Sequence, residues 1–196
     1  KVTGFRGTVS GSVPACGIWM EDALQSVVRN VVSQFNGYGL YCLTGQTIRV
    51  VQSQFDNNVE AGVVMQGGAG CSVRESNIIN NAVGKTTVPL AAVRSWGGSS
   101  THDAGGYVEV DSDGCVFEIN KLKNNGYSQI SGFTYSRLQL INNWISTTGS
   151  EYGIATIGPA LIDGNVFEPT GPNTGTRREI YAKTRGGVQS NLITVT

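Results

Sequence analysis

The chain has 196 residues, of which 27 are glycine and only 14% are charged, and its formal net charge is zero. This length supports one domain with its own core. Neutrality argues against electrostatic binding to nucleic acid or to an anionic membrane surface. No run of about 18 apolar residues occurs, so the sequence predicts no membrane-spanning helix. A composition rich in Gly, Asn, Ser, Thr, Val and Ile favours β structure over helix.

The first half of the chain contains three segments that open alike. Each begins with glycine and a short apolar run: Gly17 to Met20, Gly39 to Cys42 and Gly62 to Met65. The openings lie 22 and 23 residues apart. A fixed period of this length indicates a solenoid, in which each repeat is one coil.

A polar residue also recurs two positions before a large apolar residue. The polar column is Ser33, Ser53, Ser76, Asn120, Asn143, Asn165 and Asn191, and the apolar column is Phe35, Phe55, Ile78, Leu122, Ile145, Phe167 and Ile193. One step in the polar column spans 44 residues, which we interpret as two turns, one of them irregular and near residues 85–105. Asn and Ser tolerate turn conformations, so we expect the polar column to stack at a corner.

Short β runs with apolar residues two positions apart fill each period, namely Ile48/Val50, Cys71/Val73, Cys115/Phe117 and Leu138/Leu140. Such alternation gives each strand one buried face. Because one coil cannot bury its own apolar face, the coils must stack. The sequence therefore predicts an all-β fold, a parallel β-helix of about eight coils of 22–27 residues, with residues 1–196 as a single domain.

In chain order, a loop at residues 11–14 precedes coils at about 17–38, 39–61 and 62–84. A Gly/Ser-rich loop at 94–105 leaves the wall, coils resume at 106–127, 128–151 and 152–178, and a second loop covers 168–178. No amphipathic helix is available to cover the two ends. We therefore expect the chain to be a segment of a longer one, or to have its ends covered by other subunits.

The four cysteines, Cys16, Cys42, Cys71 and Cys115, form no C-x-x-C pair. Their spacing aligns Cys71 and Cys115 with Ile48, and Cys42 with Met20 and Met65. We predict buried, reduced thiols rather than disulfides or a zinc site, and folding in a reducing cytoplasm. The sequence predicts no metal and no cofactor.

Two carboxylates in one strand are the candidate catalytic residues. Glu109 and Asp111 alternate with valines that we expect to point inward, which would put both carboxyl groups on the outer face about 6.8 Å apart. Glycan cleavage requires such a pair. Aligning Gly106 with Gly62, however, puts Glu109 opposite Met65, so a bulge or a one-residue shift must intervene. The alternative is a pair of ordinary solvated carboxylates.

The candidate glycan-binding residues are aromatic and cationic. Trp19 and Tyr41 align on neighbouring coils and predict an exposed aromatic step, which would bind sugar or pack against another protein. Trp96 lies in the irregular loop and is a further glycan candidate.

Arg29 and Arg49 are predicted to stack, which would require a carboxylate or an acidic sugar between them. His102-Asp103 is a weaker acid/base candidate, more simply a surface polar pair.

The aligned columns resemble the right-handed parallel β-helix of the pectin-lyase-like superfamily over nearly the whole chain. The motifs of its polygalacturonases (Asn-Thr-Asp, Gly-Asp-Asp, Gly-His-Gly, Arg-Ile-Lys) and the epimerase motif Asp-Pro-His-Asp are missing. What remains is similar to a bacteriophage tailspike or a pectate-lyase-like tail protein. This resemblance implies a homotrimer in the virion tail, folded in the bacterial cytoplasm, that binds and often cleaves host surface polysaccharide.

Three functions follow as hypotheses. The first is a tailspike-type protein that binds, and as a glycoside hydrolase or polysaccharide lyase also depolymerises, host polysaccharide. The second is a non-catalytic structural or receptor-binding virion fibre module, associated with other tail proteins. The third is a secreted polysaccharide lyase, which the missing motifs disfavour.

Overall fold

The computed structural model describes residues 1–3, 15–83, 108–126, 128–133, 138–146, 152–157, 160–168, 178–183 and 192–193. These residues form three seven-stranded sheets in which every pairing is parallel. Successive strands enter successive sheets, so that every third strand returns to the same sheet one level further along. The predicted all-β class and parallel β-helix are confirmed.

The three sheets, named A, B and C, take their strands from every coil. Sheet A contains β1 (Val2–Thr3), β4 (Val32–Gln34), β7 (Gln54–Asp56), β10 (Asn77–Ile79), β13 (Lys121–Lys123), β16 (Trp144–Ser146) and β19 (Val166–Glu168). Sheet B contains β2 (Cys16–Glu21), β5 (Tyr38–Leu43), β8 (Ala61–Ala69), β11 (Val108–Asp113), β14 (Ser128–Phe133), β17 (Tyr152–Ile157) and β20 (Arg178–Lys183). Sheet C contains β3 (Val27–Arg29), β6 (Arg49–Val51), β9 (Ser72–Arg74), β12 (Val116–Glu118), β15 (Leu138–Ile141), β18 (Ala160–Asp163) and β21 (Leu192–Ile193).

The interior of the solenoid is a continuous apolar core. The residues predicted to point inward as pairs are all at most 1% exposed, namely Ile48, Val50, Cys71, Val73, Cys115, Phe117, Leu138 and Leu140. Burying a side chain such as Val, Leu, Ile or Phe contributes about 1.5–3 kcal/mol each. The stack of coils, rather than any single coil, therefore holds the fold.

The predicted polar column exists and is hydrogen-bonded from level to level. The backbone N–H of Ser53 donates to Oγ of Ser76 at 3.1 Å. Further along, Nδ2 of Asn120 donates to Oδ1 of Asn143, and Nδ2 of Asn143 donates to Oδ1 of Asn165, at 3.0 and 2.9 Å. A buried amide must find partners, and here each amide finds them on the neighbouring coil.

A second buried ladder turns the corner from sheet A to sheet B, and sequence analysis did not resolve it as a column. Asn58 donates from Nδ2 to Oδ1 of Asn81 at 2.9 Å, and Asn81 donates in the same way to Asn125 at 3.0 Å. Asn36 begins this ladder, and Gln129 accepts from Asn125 at its end. Both ladders satisfy backbone groups that a tight corner would otherwise leave buried without partners.

The first coil departs from the predicted columns by two residues. Ser33 pairs with Phe55 rather than with Ser53, whose Oγ accepts from the N–H of Val31 instead. Phe35 is consequently not a core residue: it lies at a corner with φ of 57° and is 40% exposed. The assignment of Ser33 and Phe35 to the two columns was wrong.

The last residue assigned to the apolar column, Ile193, lies elsewhere, and the last residue assigned to the polar column, Asn191, is untested. Ile193 pairs with Ile162 in sheet C, not with Phe167 in sheet A, so its placement in the apolar column was wrong. Asn191 lies outside the described residues.

The 44-residue step is one level of the stack, not two. Strand β10 pairs directly with β13, and the N–H of Ser76 donates to Oδ1 of Asn120 at 3.0 Å. The interpretation of two turns was therefore wrong, and with seven strands in each sheet the solenoid has fewer than the eight coils expected. Residues 84–107 lie outside the described residues.

The periodic glycine has a steric cause that is clear at Gly39. A Cβ there would lie 2.4 Å from the carbonyl oxygen of Gly62 and 2.8 Å from Nδ2 of Asn58. No side chain fits between this strand and the amide ladder, which explains the glycine here. Gly17, Gly62 and Gly153 lie in the same column, whereas Gln129 and Glu179 occupy it on two other levels.

The four cysteines are reduced thiols, and Cys42, Cys71 and Cys115 are buried, as predicted. Cys16 is only partly buried, and burial raises its pKa to about 11. A hydrogen bond to Cys71, together with burial, raises the pKa of Cys42. Cys16 and Cys42 are therefore neutral near pH 7. Hydrogen bonds with Cys115 and Cys42 instead lower the pKa of Cys71. All three buried thiols lie in the apolar core, where they pack as small side chains.

Candidate functional site

An aromatic group lies on the outer face of sheet B, where β2 and β5 run side by side. Trp19 pairs with Tyr41, and their rings stack with centroids 5.2 Å apart and planes 24° apart. Tyr38 meets Tyr41 edge-on, also at 5.2 Å. The predicted aromatic step between neighbouring coils is therefore present.

Hydrogen bonds hold this aromatic group in place. Nε1 of Trp19 donates to Oε2 of Glu21 at 3.2 Å, and the hydroxyl of Tyr41 donates to Oε1 of Gln66. Because each ring is fixed by both stacking and a polar contact, little side-chain entropy remains to be lost when a ligand binds.

The step is less exposed than expected. Tyr41 is only 6% exposed, because it is enclosed with Tyr38, Ala61 and Val64 in a second apolar cluster outside the main core. Trp19 is partly buried against the same cluster. The expectation of an exposed Tyr41 was wrong, and Trp19 is the member of the stack that solvent reaches.

The backbone register places the candidate carboxylates in the same sheet. Glu109 pairs with Val64, Asp111 with Gln66, and the intervening Val110 with Met65. This register is shifted by one residue from the one obtained by aligning Gly106 with Gly62, as the sequence required. A further irregularity follows between Asp111 and Asp113.

The structure thus brings together residues that the sequence presented separately. Trp19, Tyr41, Val64 and Glu109 occupy one column on successive strands of sheet B. At about 4.8 Å per strand, the backbone positions of Trp19 and Glu109 lie about 14 Å apart. Gln66, which accepts from Tyr41, neighbours Asp111 in the next column.

The two candidate arginines do not stack. Arg29 pairs with Val51, and Arg49 pairs with Val27, so the two guanidinium groups belong to different columns of sheet C. Both residues are exposed. The prediction of an arginine stack was wrong, and the diagonal offset weakens the like-charge repulsion that would have called for an anion between them.

Other sequence candidates are placed as follows. Trp144, the third tryptophan, lies in the column of Gln54, and Nζ of Lys121 lies 4.8 Å from the centre of its ring, within the range of a cation–π contact. Trp96 and His102 lie outside the described residues.

The described residues contain neither a candidate metal site nor a candidate membrane-spanning helix. Within them, no three His, Cys, Asp or Glu side chains are grouped so that they could hold a metal ion. The same part of the chain contains no helix with the length and hydropathy of a membrane span.

Comparison of the chain with protein-family models, with curated proteins and with solved structures gave no match.

Proposed function

We propose that this protein is a tailspike-type solenoid that binds an extended polysaccharide of a bacterial surface along sheet B. The observation that supports this proposal best is the fixed Trp19–Tyr41 stack in the same column as Glu109. A rigid sheet presents such a row without reorganisation on binding, which limits the entropic cost of association.

Trp19 is the sugar-stacking residue in this proposal. Its indole ring is supported from below by Tyr41, and its N–H is directed to Glu21. The hydrophobic face of a pyranose ring would pack on the accessible side of the indole. The polysaccharide would then extend across the strands toward Glu109 and Asp111.

Glu109 and Asp111 are the proposed catalytic pair. Two positions along a strand separate their backbones by about 6.8 Å. Inverting glycosidases hold their two carboxyl groups about 6.5–9.5 Å apart, with room for a water. One carboxyl group would protonate the leaving oxygen, and the other would activate the water.

The test is incubation of the purified protein with capsule or lipopolysaccharide from candidate hosts, followed by assay of new reducing ends. Glu109→Gln and Asp111→Asn should each abolish cleavage, whereas Asp163→Asn on sheet C, the matched control, should not. Full activity in both site variants would contradict the catalytic assignment.

The alternative of a non-catalytic virion fibre or receptor-binding module is distinguished by the same assay. Binding to the polysaccharide without new reducing ends would favour it. The secreted polysaccharide lyase remains a further alternative, and it predicts an unsaturated product with ultraviolet absorbance instead of simple hydrolysis.

Assembly is part of the proposal. The resemblance of the sequence columns to tailspikes implies a trimer, so we propose a homotrimer located in the virion tail, formed after folding in the host cytoplasm and associated with other tail proteins. Light scattering on the purified chain checks this, and a stable monomer would contradict it.

A further inference from the structure

A second polar surface lies on sheet A, centred on one carboxylate. Nε2 of Gln34 and Nε2 of Gln54 donate to Oδ2 of Asp56 at 3.2 and 3.3 Å. Nδ2 of Asn57 and Nδ2 of Asn80 donate to Oδ1 of the same group at 2.7 and 3.4 Å. Four amides on three adjacent levels are thus held in place by one carboxylate.

The network continues to a fourth level, where Nδ2 of Asn124 donates to Oδ1 of Asn80 at 2.8 Å. We call this surface the amide strip, defined as Gln34, Gln54, Asp56, Asn57, Asn80 and Asn124. Four levels span about 14 Å along the solenoid axis, which exceeds the size of a single sugar ring.

Phe35, at one end of the strip, is an unusual residue for its backbone conformation. Phe35, Asn57, Asn80 and Asn124 follow β4, β7, β10 and β13, and all four have φ between 52° and 57°. Asparagine tolerates this left-handed conformation well, whereas a bulky aromatic residue does not. The Phe35 side chain is 40% exposed.

The chemistry of the strip suits uncharged hydroxyl groups. Within the described residues, the side-chain carbonyl oxygens of Gln34, Gln54 and Asn57 accept no hydrogen bond, while their NH₂ groups are already oriented by Asp56. Each amide therefore offers a fixed acceptor beside a donor, which is the pairing that adjacent sugar hydroxyls require. The strip itself contains no cationic side chain, and Asp56 would repel an acidic sugar. The exposed Lys123 adjoins the strip at Asn124, two levels away from Asp56.

We propose that the amide strip and Phe35 form a second carbohydrate site, distinct from the one on sheet B, which takes a neutral oligosaccharide. Phe35 packs on the hydrophobic face of a terminal sugar, and the amides bind hydroxyl groups of the following units. This site depends neither on cleavage by Glu109 and Asp111 nor on host attachment.

The decisive variant is Phe35→Asn, because asparagine is the residue that the other three levels carry at this corner. The fold should be kept, with an unchanged or higher melting temperature. Binding is measured by saturation-transfer NMR and titration with maltotetraose, mannotetraose and a galactose tetrasaccharide, with tetragalacturonate as the acidic probe. We expect a neutral probe to bind with a Kd of about 1 mM or better, and Phe35→Asn to weaken binding by roughly tenfold or more.

Three controls make the result specific. Ile119→Asn makes the same kind of exchange at a left-handed corner outside the strip and should leave binding unchanged. Gln54→Ala should weaken binding, and Trp19→Ala on sheet B should not, which separates this site from the proposed function. Absence of binding by every neutral probe, or equal binding by wild type and Phe35→Asn, would overturn the proposal.

Discussion

The backbone N–H of Ser76 donates a hydrogen bond to Oδ1 of Asn120, 3.0 Å away, although 44 residues separate them in the sequence. The same link joins Ser53 to Ser76 across 23 residues, and Asn120 to Asn143 across 23. The geometry of the ladder is therefore independent of the length of chain that connects its levels. A solenoid of this kind tolerates long insertions, because loop length costs free energy only slowly.

The ladder makes Asn143 a sensitive position for stability. Its Oδ1 accepts from both nitrogens of Asn120, and its Nδ2 donates to the carbonyl of Phe117. Asn143→Ala would leave these buried groups without partners, and we expect a loss of about 3 kcal/mol in the free energy of unfolding. Urea denaturation measures this. Asn77→Ala, at an exposed position on β10, should change stability by less than about 0.5 kcal/mol.

Removal of residues 84–105 should leave a folded solenoid. Two residues, Val59 and Glu60, connect Asn58 to Ala61, and joining Val83 to Gly106 reproduces that connection between Asn81 and the next strand of sheet B. The separation of Ser76 from Asn120 then falls from 44 residues to 22, the ordinary period. Circular dichroism and thermal unfolding check the result, and a cooperative transition near that of wild type is expected.

The same deletion tests Trp96 as a glycan contact, because it removes this residue together with His102. Polysaccharide binding that survives the deletion would exclude Trp96 from the site. A deletion variant that does not fold would instead contradict the single-level interpretation of the 44-residue step.

The fold could be predicted because the same types of residue recur at corresponding positions of successive coils. Ser53, Ser76, Asn120 and Asn143 each precede a buried apolar residue by two positions, Asn165 precedes the partly buried Phe167, and all five polar residues stack as predicted. The pattern failed at Ser33 and Phe35, because the serine and phenylalanine there match the column by type while the register places them two residues away.

The site was less accessible to sequence reasoning. The alignment on glycine put Glu109 opposite Met65 and left open whether a bulge or a one-residue shift intervenes. The strand pairing shows the shift, which puts Glu109 opposite Val64 in the column of Trp19 and Tyr41. The burial of Tyr41 could not be predicted, since it depends on Tyr38 and Val64 enclosing the ring outside the core. The period of the sequence shows which residues lie on successive coils, whereas the exposure of a side chain depends on which neighbouring side chains cover it.

Ile119 should be a site of stabilising substitution. It is β-branched, 54% exposed, and has φ of 56°, in a corner column where other levels carry Asn30, Gln52 and Asn142. A left-handed conformation costs an ordinary L-residue about 1–2 kcal/mol, and asparagine less. Ile119→Asn should therefore raise the free energy of unfolding by about 1 kcal/mol. Ile119→Val keeps the β-branch and should give no such gain in the same denaturation experiment.

Cys16 should react slowly although it is only partly buried. Burial raises its pKa to about 11 from 9.0, so at pH 8.5 its thiolate fraction is lower by roughly two orders of magnitude than that of a free thiol. Iodoacetamide labelling followed by mass spectrometry should show a matching fall in rate relative to a peptide containing Cys16.

The sign of the pH dependence at Cys16 follows from the same shift. The folded state keeps its proton where the unfolded state has lost it, so this contribution to stability is complete below pH 9 and is lost as the pH rises toward 11. Labelling of native Cys16 at the rate of the peptide would contradict the burial of this thiol.

Trp19 is the position at which the glycan proposal on sheet B is tested most directly. Its indole lies on Tyr41 and is the part of the stack in contact with solvent, so Trp19→Ala removes the proposed sugar-binding surface while most of the apolar cluster around Tyr38, Tyr41 and Val64 remains. Polysaccharide affinity, measured by surface plasmon resonance, should fall by roughly tenfold or more.

Trp144→Ala is the matched control, because that ring lies on another sheet and already has Lys121 against one face, and affinity should be unchanged. Equal losses in the two variants would mean that general destabilisation, rather than a sugar contact at Trp19, accounts for the effect.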